Sequence, residues 1–183
     1  MSGIVGSRFN IRGSGLVGSL GTDGQVFTSS GAGKSAVYEA AAAGGKILQV
    51  QGTRSSIADS TTSNSLVTYN HLAPTITCAT TSSKVFITTG WAYISPADNV
   101  IMDLYRSIDG GASTLNLSGE SAGMSAMNST NSAQGACFHF LDSPSTVSEI
   151  TYKISYRNYT GSTTIYIGND DITSTLTLFE IGA

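Results

Sequence analysis

The sequence predicts an all-β protein: an antiparallel β-sandwich of jelly-roll-like character at residues 46–183, preceded by an extended glycine-rich N-terminal arm at residues 1–45. Three observations carry this. Only 11% of the 183 residues are charged, against about 25% in an average soluble protein. The 28 serines and 22 threonines make up more than a quarter of the chain. Threonine, with Val, Ile and Tyr, favours strands, whereas long helices draw on Ala, Leu, Glu, Lys and Arg. Finally, short apolar runs recur between Gly, Asp and Asn turns, the pattern of a two-sheet fold.

The arm comes first. Twelve of the 21 glycines fall within the first 52 residues. Such a segment loses much backbone entropy on ordering and has little apolar surface to offset it. It is therefore expected to gain order by docking on other molecules. Leu16, Leu20, Val26 and Phe27 are spaced anchors for this, and Arg8, Phe9 and Arg12 form a mixed patch near the start. Residues 35–43 are the best helical stretch, closed by Gly44-Gly45. At nine residues it is marginal as a helix and serves equally as an extended joint.

From Lys46 the pattern turns to strands, expected at 46–51, 66–69, 75–77, 84–94, 99–106, 113–117, 135–141, 149–159, 163–167 and 173–181, with residues 52–65 poorly patterned. In the fourth of these Val85, Ile87, Thr89, Trp91 and Tyr93 share one face. Asp109-Gly110-Gly111 supplies the positive φ of a tight turn and joins its flanking strands as a hairpin. Ile150, Tyr152, Ile154 and Tyr156 alternate with Thr151, Lys153, Ser155 and Arg157, so one face is buried and the other wet. In the last strand Leu176 and Leu178 alternate with threonines until Phe179 and Ile181 interrupt, which predicts a bulge or a strand covered on both faces. Cys78 and Cys137 read as buried free thiols.

Several function classes drop out. With a net charge of -3 and nine scattered Lys and Arg, the chain has no basic stripe for nucleic acid. Apolar runs such as Val100-Ile101-Met102 fall far short of the ~20 residues of a membrane helix. The opening Met-Ser-Gly-Ile-Val-Gly is no secretory signal, so the product is expected in the cytoplasm where it is made or assembled. Gly31-Ala32-Gly33-Lys34-Ser35 has Thr28 where a phosphate-binding loop requires glycine. His71 and His139 read as structural or surface residues, and with two dispersed cysteines they make no zinc signature. Asp170-Asp171, after Gly168-Asn169, reads as a hairpin turn. No catalytic, cofactor or metal site is expected. Trp91, Tyr93 and Tyr105 are candidate surface-recognition aromatics, able to stack on a sugar ring; with Tyr156 and Tyr159 they are otherwise core or interface residues.

Residues 13–39 are built on Gly21-Thr22-Asp23-Gly24-Gln25-Val26-Phe27-Thr28-Ser29-Ser30-Gly31, with Tyr38 following. This segment resembles one met in tailed-bacteriophage appendage proteins. The family often has Leu in place of Phe27, and a Pro before the aromatic that this chain lacks. The stretch from Leu141-Asp142-Ser143-Pro144 through Thr151-Tyr152-Lys153 to Leu176-Thr177-Leu178-Phe179-Glu180-Ile181 resembles the distal β-domain of short fibre-like proteins from phages of aquatic bacteria. The resemblance implies a homotrimeric virion protein, a short tail fibre or related appendage. The arm would join it to other virion proteins, and the β-domain would face a host-surface glycan or protein. A capsid decoration or head-fibre protein is the alternative, and a stand-alone glycan-binding module the second. No enzyme is expected, and neither nucleic acid nor membrane insertion.

Overall fold

The computed structural model describes residues 22–28, 37–40, 45–111, 113–120, 123–168 and 172–182, and of residues 92–98, 113, 114 and 127–134 the backbone alone. The chain divides into two compact units, Met1–Gly44 and Gly45–Ala183.

In the first unit β1 (Gln25–Thr28) and β2 (Val37–Ala40) pair antiparallel. Phe27 stands directly opposite Tyr38, with ring centroids 4.9 Å apart. The described part of the expected helical stretch is thus a strand. The β-branched and aromatic residues at its start find cross-strand partners, which a nine-residue helix would not supply. Of the predicted arm anchors, Arg8, Phe9, Arg12, Leu16 and Leu20 lie outside the described residues.

The second unit is all-β, with antiparallel sheets packed as a sandwich. Its strands are β3 (Ile47–Ser55), β4 (Asp59–Thr61), β5 (Val67–Tyr69), β6 (Thr75–Thr77), β7 (Lys84–Ile108), β8 (Ser113–Asn116), β9 (Ser125–Asp142), β10 (Glu149–Asn158), β11 (Ile165–Ile167) and β12 (Ser174–Ile181). The frame is the long β7–β9 ribbon, paired from Val85↔Asp142 to Met102↔Ser125. On the other edge of β7 lie β12, then β11, then β10. The first layer is therefore β3-β12-β7-β9 and the second β5/β6-β10-β7 with β8 and the start of β9. One cluster fills the space between them. Val85, Ile87, Phe138, Leu176 and Leu178 come from the first layer, and Met102, Leu104, Ile150, Tyr152 and Ile154 from the second.

Two strands expected separately, 84–94 and 99–106, are one strand of 25 residues. Val85, Ile87, Thr89 and Trp91 are buried, then Val100, Met102 and Leu104, so the inward-facing positions switch from odd to even. The β9 pairing is irregular between Ser95 and Pro96 and between Pro96 and Asp98, where an extra residue re-aims the side chains. β9 itself begins ten residues before the expected 135, because the β7 ladder holds its polar front half. The Asp109-Gly110-Gly111 turn forms as expected, with φ of 52°, 69° and 113°, and β8 pairs back from Ile108↔Ser113.

The break at the end of β12 is a bulge, between Glu180 and Ile181 in the pairing with β3. The inward alternation runs on through Ser174, Leu176 and Leu178 to Glu180, a fully buried carboxylate. Val85 pairs with Glu180 on one side and Asp142 on the other. Both acids are satisfied. Glu180 accepts from Gln49 Nε2 and from the Ala79 amide, each at 2.7 Å. Asp142 accepts from Arg106 Nη1 at 2.8 Å through both oxygens and from the Tyr152 hydroxyl at 2.7 Å. Arg106 and Tyr152 belong to the second layer and Asp142 to the first, so this network ties the layers together.

Candidate functional site

The two outer faces of the sandwich carry what the core leaves for function. On the first layer, register places Val50 beside Phe179, Phe179 beside Phe86, and Phe86 beside Leu141. Three inter-strand spacings of about 4.8 Å make this an apolar row about 14 Å long. Val50 is 52% exposed, Phe86 36% and Leu141 49%, while Phe179 is half-buried. Phe86 lies between Phe179 and His139, both centroids 6.2 Å away, stacked on the imidazole and tilted against the Phe179 ring. Ile47 and Leu48 extend the apolar surface at the β3 edge. The next row, Gly52, Thr177, Thr88 and His139, contains no carboxylate, lysine or arginine. Four large apolar side chains thus stand in line on one outer face.

The second layer's outer face is polar. Tyr105 pairs with Lys153 and with Asn116, Ser107 with Thr151, and Thr68 with Ser155. Thr68, Tyr105, Ser107, Gly110, Gly111, Thr151 and Lys153 line an open depression of about 400 Å³. Beneath its edge Asp103 is fully buried. Its carboxylate accepts from Asn116 Nδ2 at 2.7 Å, Ser118 Oγ at 2.8 Å and the Leu104 amide at 2.8 Å. This network fixes β8, and with it one flank of Tyr105. The loop beyond β8 closes over β7 through a Met124 amide to Met102 carbonyl bond of 2.9 Å. Gly123 makes the closure fit, since a Cβ there would collide with the Met102 carbonyl and its φ is +67°.

The predicted aromatics separate. Tyr105 is half-buried on the depression. Trp91 is 4% exposed and packs edge-on against Phe138, so it belongs to the core and not to a recognition surface. Tyr156 is likewise fully buried, and burial pushes its phenol pKa up. Tyr93 pairs with Ile167, its side chain outside the described set. Tyr159 is exposed beneath the Arg157 guanidinium. Val26 and Phe27 lie exposed on β1. Cys78 is a buried free thiol as expected, but Cys137 is exposed, on the outward positions of β9 with His139 and Leu141. His139 does point away from Phe138, which is buried. Asp170-Asp171 lie outside the described residues. Among the described residues no group of three or more His, Cys, Asp or Glu could hold a metal ion. Sequence reasoning missed Lys153 and Ser107 as partners of Tyr105. The signal was the wet side of the alternation at 149–159, read as solvent-facing and not as a lining.

No protein-family model matches the sequence, and no curated protein sequence matches it. Solved structures give distant similarities. One is the structure of infectious bursal disease virus, Gx strain, at TM-score 0.38 and 8% identity, covering 86% of this chain and 44% of that one. Another is the infectious bursal disease virus VP2 subviral particle, at 0.38 and 10%, covering 87% and 42%. A third is the enzymatically active domain of bacteriophage CBA120 tailspike protein 4, at 0.27 and 7%, covering 75% and 20%. The chain spans less than half the length of each of these proteins.

Proposed function

We propose that this chain is a structural, non-enzymatic protein of a bacteriophage virion: a short homotrimeric tail fibre or related appendage, attached through its N-terminal segment and carrying its sandwich outward. The observation that carries the reading is the apolar row Val50-Phe179-Phe86-Leu141 on the outer face of the first layer. A monomer in water gains nothing from four large apolar side chains aligned across four strands, whereas copies of the chain meeting there bury them at about 25 cal/mol per Å². The β3 edge beside this row, which pairs only with β12 among the described residues, is closed off in the same event. The likeness of residues 13–39 and of the C-terminal strands to phage appendage proteins supplies the biological setting.

The test has two parts. Light scattering on the full chain is expected to give three times 18.9 kDa, and labelled particles are expected to carry it around the tail. Label at icosahedral symmetry axes would make it a capsid decoration or head-fibre protein. A monomer absent from particles would leave a stand-alone binding module. Removing residues 1–45 is expected to leave the sandwich folded and abolish incorporation; normal incorporation of the truncated chain refutes the attachment role.

A further inference from the structure

The depression on the second layer has features that assembly does not use. Lys153 is half-buried in it. Among the described residues its ammonium has neither a carboxylate nor a hydrogen-bond acceptor; the ion pair found there is Arg106–Asp142. The lining contains no acid at all. No acid faces this cation among the described residues, although the chain has 12 acidic residues from which a partner could have been drawn. Directly across the ladder stands Tyr105, and one row on stand Ser107 and Thr151, opposite each other. Thr68 lines the far side, its hydroxyl 3.3 Å from that of Ser155. Gly110 and Gly111 form a wall without side chains, and their φ of 69° and 113° keeps bulk from being added there.

One cation, one half-buried aromatic ring and several neutral hydroxyls on a rigid sheet describe a particular ligand. A phosphate group would call for several converging N–H donors or a guanidinium, and the lining has no arginine. A purely apolar ligand would leave Lys153 unpaired. The volume of about 400 Å³ lies at the low end of the ~300–1,000 Å³ of small-molecule sites, room for roughly one or two pyranose rings.

We propose that this depression binds a saccharide bearing a carboxylate, with the anion on the Lys153 ammonium, the C–H face of the sugar on the Tyr105 ring, and ring hydroxyls on Ser107, Thr151 and Thr68. The inference is independent of the virion reading, because a free, unassembled chain would bind in the same way.

Calorimetric titration of the full chain tests it, using trigalacturonate, its methyl ester, sialyllactose and inorganic phosphate as probes. Saturable binding of at least one of the two acidic saccharides is expected. For a trigalacturonate binder, loss of the charge-assisted contact in the ester or in Lys153→Met should weaken binding at least about tenfold. Lys153→Arg should keep it within about threefold, and Tyr105→Ala should weaken it at least about fivefold. A sialyllactose binder is judged by the same three variants, with lactose in place of the ester. Equal binding of the neutral saccharide, unchanged binding by Lys153→Met, phosphate binding as tight as the saccharide, or no saturable binding of either acid up to about 10 mM would each overturn the proposal. The neutral-saccharide arm uses the unaltered chain and decides the matter even where a variant folds poorly.

Discussion

The two outer faces of the sandwich share one backbone architecture and one low-charge residue supply, and they differ in what stands in register. Across the first layer four apolar side chains align, Val50, Phe179, Phe86 and Leu141. Across the second the aligned positions are Asn116, Tyr105 and Lys153, with Thr114, Ser107 and Thr151 beside them. Cross-strand register, more than composition, decides what each face presents: isolated apolar residues on a surface are ordinary, and a continuous row is the feature on which the proposed assembly rests. In the same way a lone surface lysine means little, and one set against a tyrosine over a depression has a geometry to offer.

The largest expected effect comes from breaking the apolar face alone. In the proposed assembly Phe86→Asp or Leu141→Asp puts a carboxylate among the aligned apolar side chains, and should convert the proposed trimer to an 18.9 kDa species by light scattering. Tyr105→Ala and Lys153→Met should leave the mass unchanged. If the charged variants stay trimeric, the faces do not divide the work in this way.

A second change separates the faces from what joins them. Asp142 is held by Arg106 and Tyr152 from the opposite layer. Asp142→Ala leaves the largely covered guanidinium and the buried Tyr152 hydroxyl without their partner, which costs about 3–5 kcal/mol. For a chain of this size the thermal midpoint should fall by roughly 6–20 °C, with both outer faces chemically unaltered. A shift of under a degree would mean the layers are held by apolar packing alone.

Much of this arrangement was legible before the structure, and the failures have physical causes. The alternation of Ile150, Tyr152, Ile154 and Tyr156 gives β10 directly, because each inward residue is apolar and fully buried. The same logic, applied to Val85, Ile87, Thr89 and Trp91, already placed Trp91 inside, which conflicts with a surface role for it. Tyr105 could not be placed by counting along β7. The Ser95-Pro96-Ala97-Asp98 stretch reads as a break and is instead the irregularity at which the inward parity flips. Without that flip Tyr105 would face the core. Glu180 was hidden for another reason: a carboxylate at an inward position looks like a strand end, and only its partners Gln49 and Ala79, 131 and 101 residues away, explain it. The side chains that line the depression come from three strands, and no single-strand pattern groups them.

Glu180 gives a smaller, pH-dependent test on the first layer. Burial alone raises its carboxyl pKa, but hydrogen bonds from Gln49, Ser83 and the Ala79 amide outweigh this and leave it below the 4.5 of a free glutamate. The folded state therefore favours the ionised form. That stabilisation is complete above about pH 4.5 and is lost as pH falls through the lower folded value. Glu180→Gln should cost about 1 kcal/mol at pH 7 and flatten the decline in thermal midpoint between pH 5 and pH 3, read by calorimetry across that interval. An unchanged acid limb would assign the decline to other carboxylates.

The smallest perturbation sharpens the comparison most, because it changes no residue of the apolar row or of the depression. Cys137 is exposed and lies on the first layer's outer face, two positions from His139 and four from Leu141 along β9. Cys78 is buried, and burial first, then the Glu180 and Asp142 charges, raise its thiol pKa, so it is the slow one of the pair. Alkylation by a small maleimide therefore reports on the first layer. In the assembled chain the rate at Cys137 should be several-fold below that in the Phe86→Asp monomer, and the Tyr105→Ala variant should match the unaltered protein. Cys137→Ser should move stability by less than about 0.5 kcal/mol and remove the fast phase. Equal rates in the trimer and the monomer would mean that the copies meet elsewhere and leave the aligned phenylalanines in water.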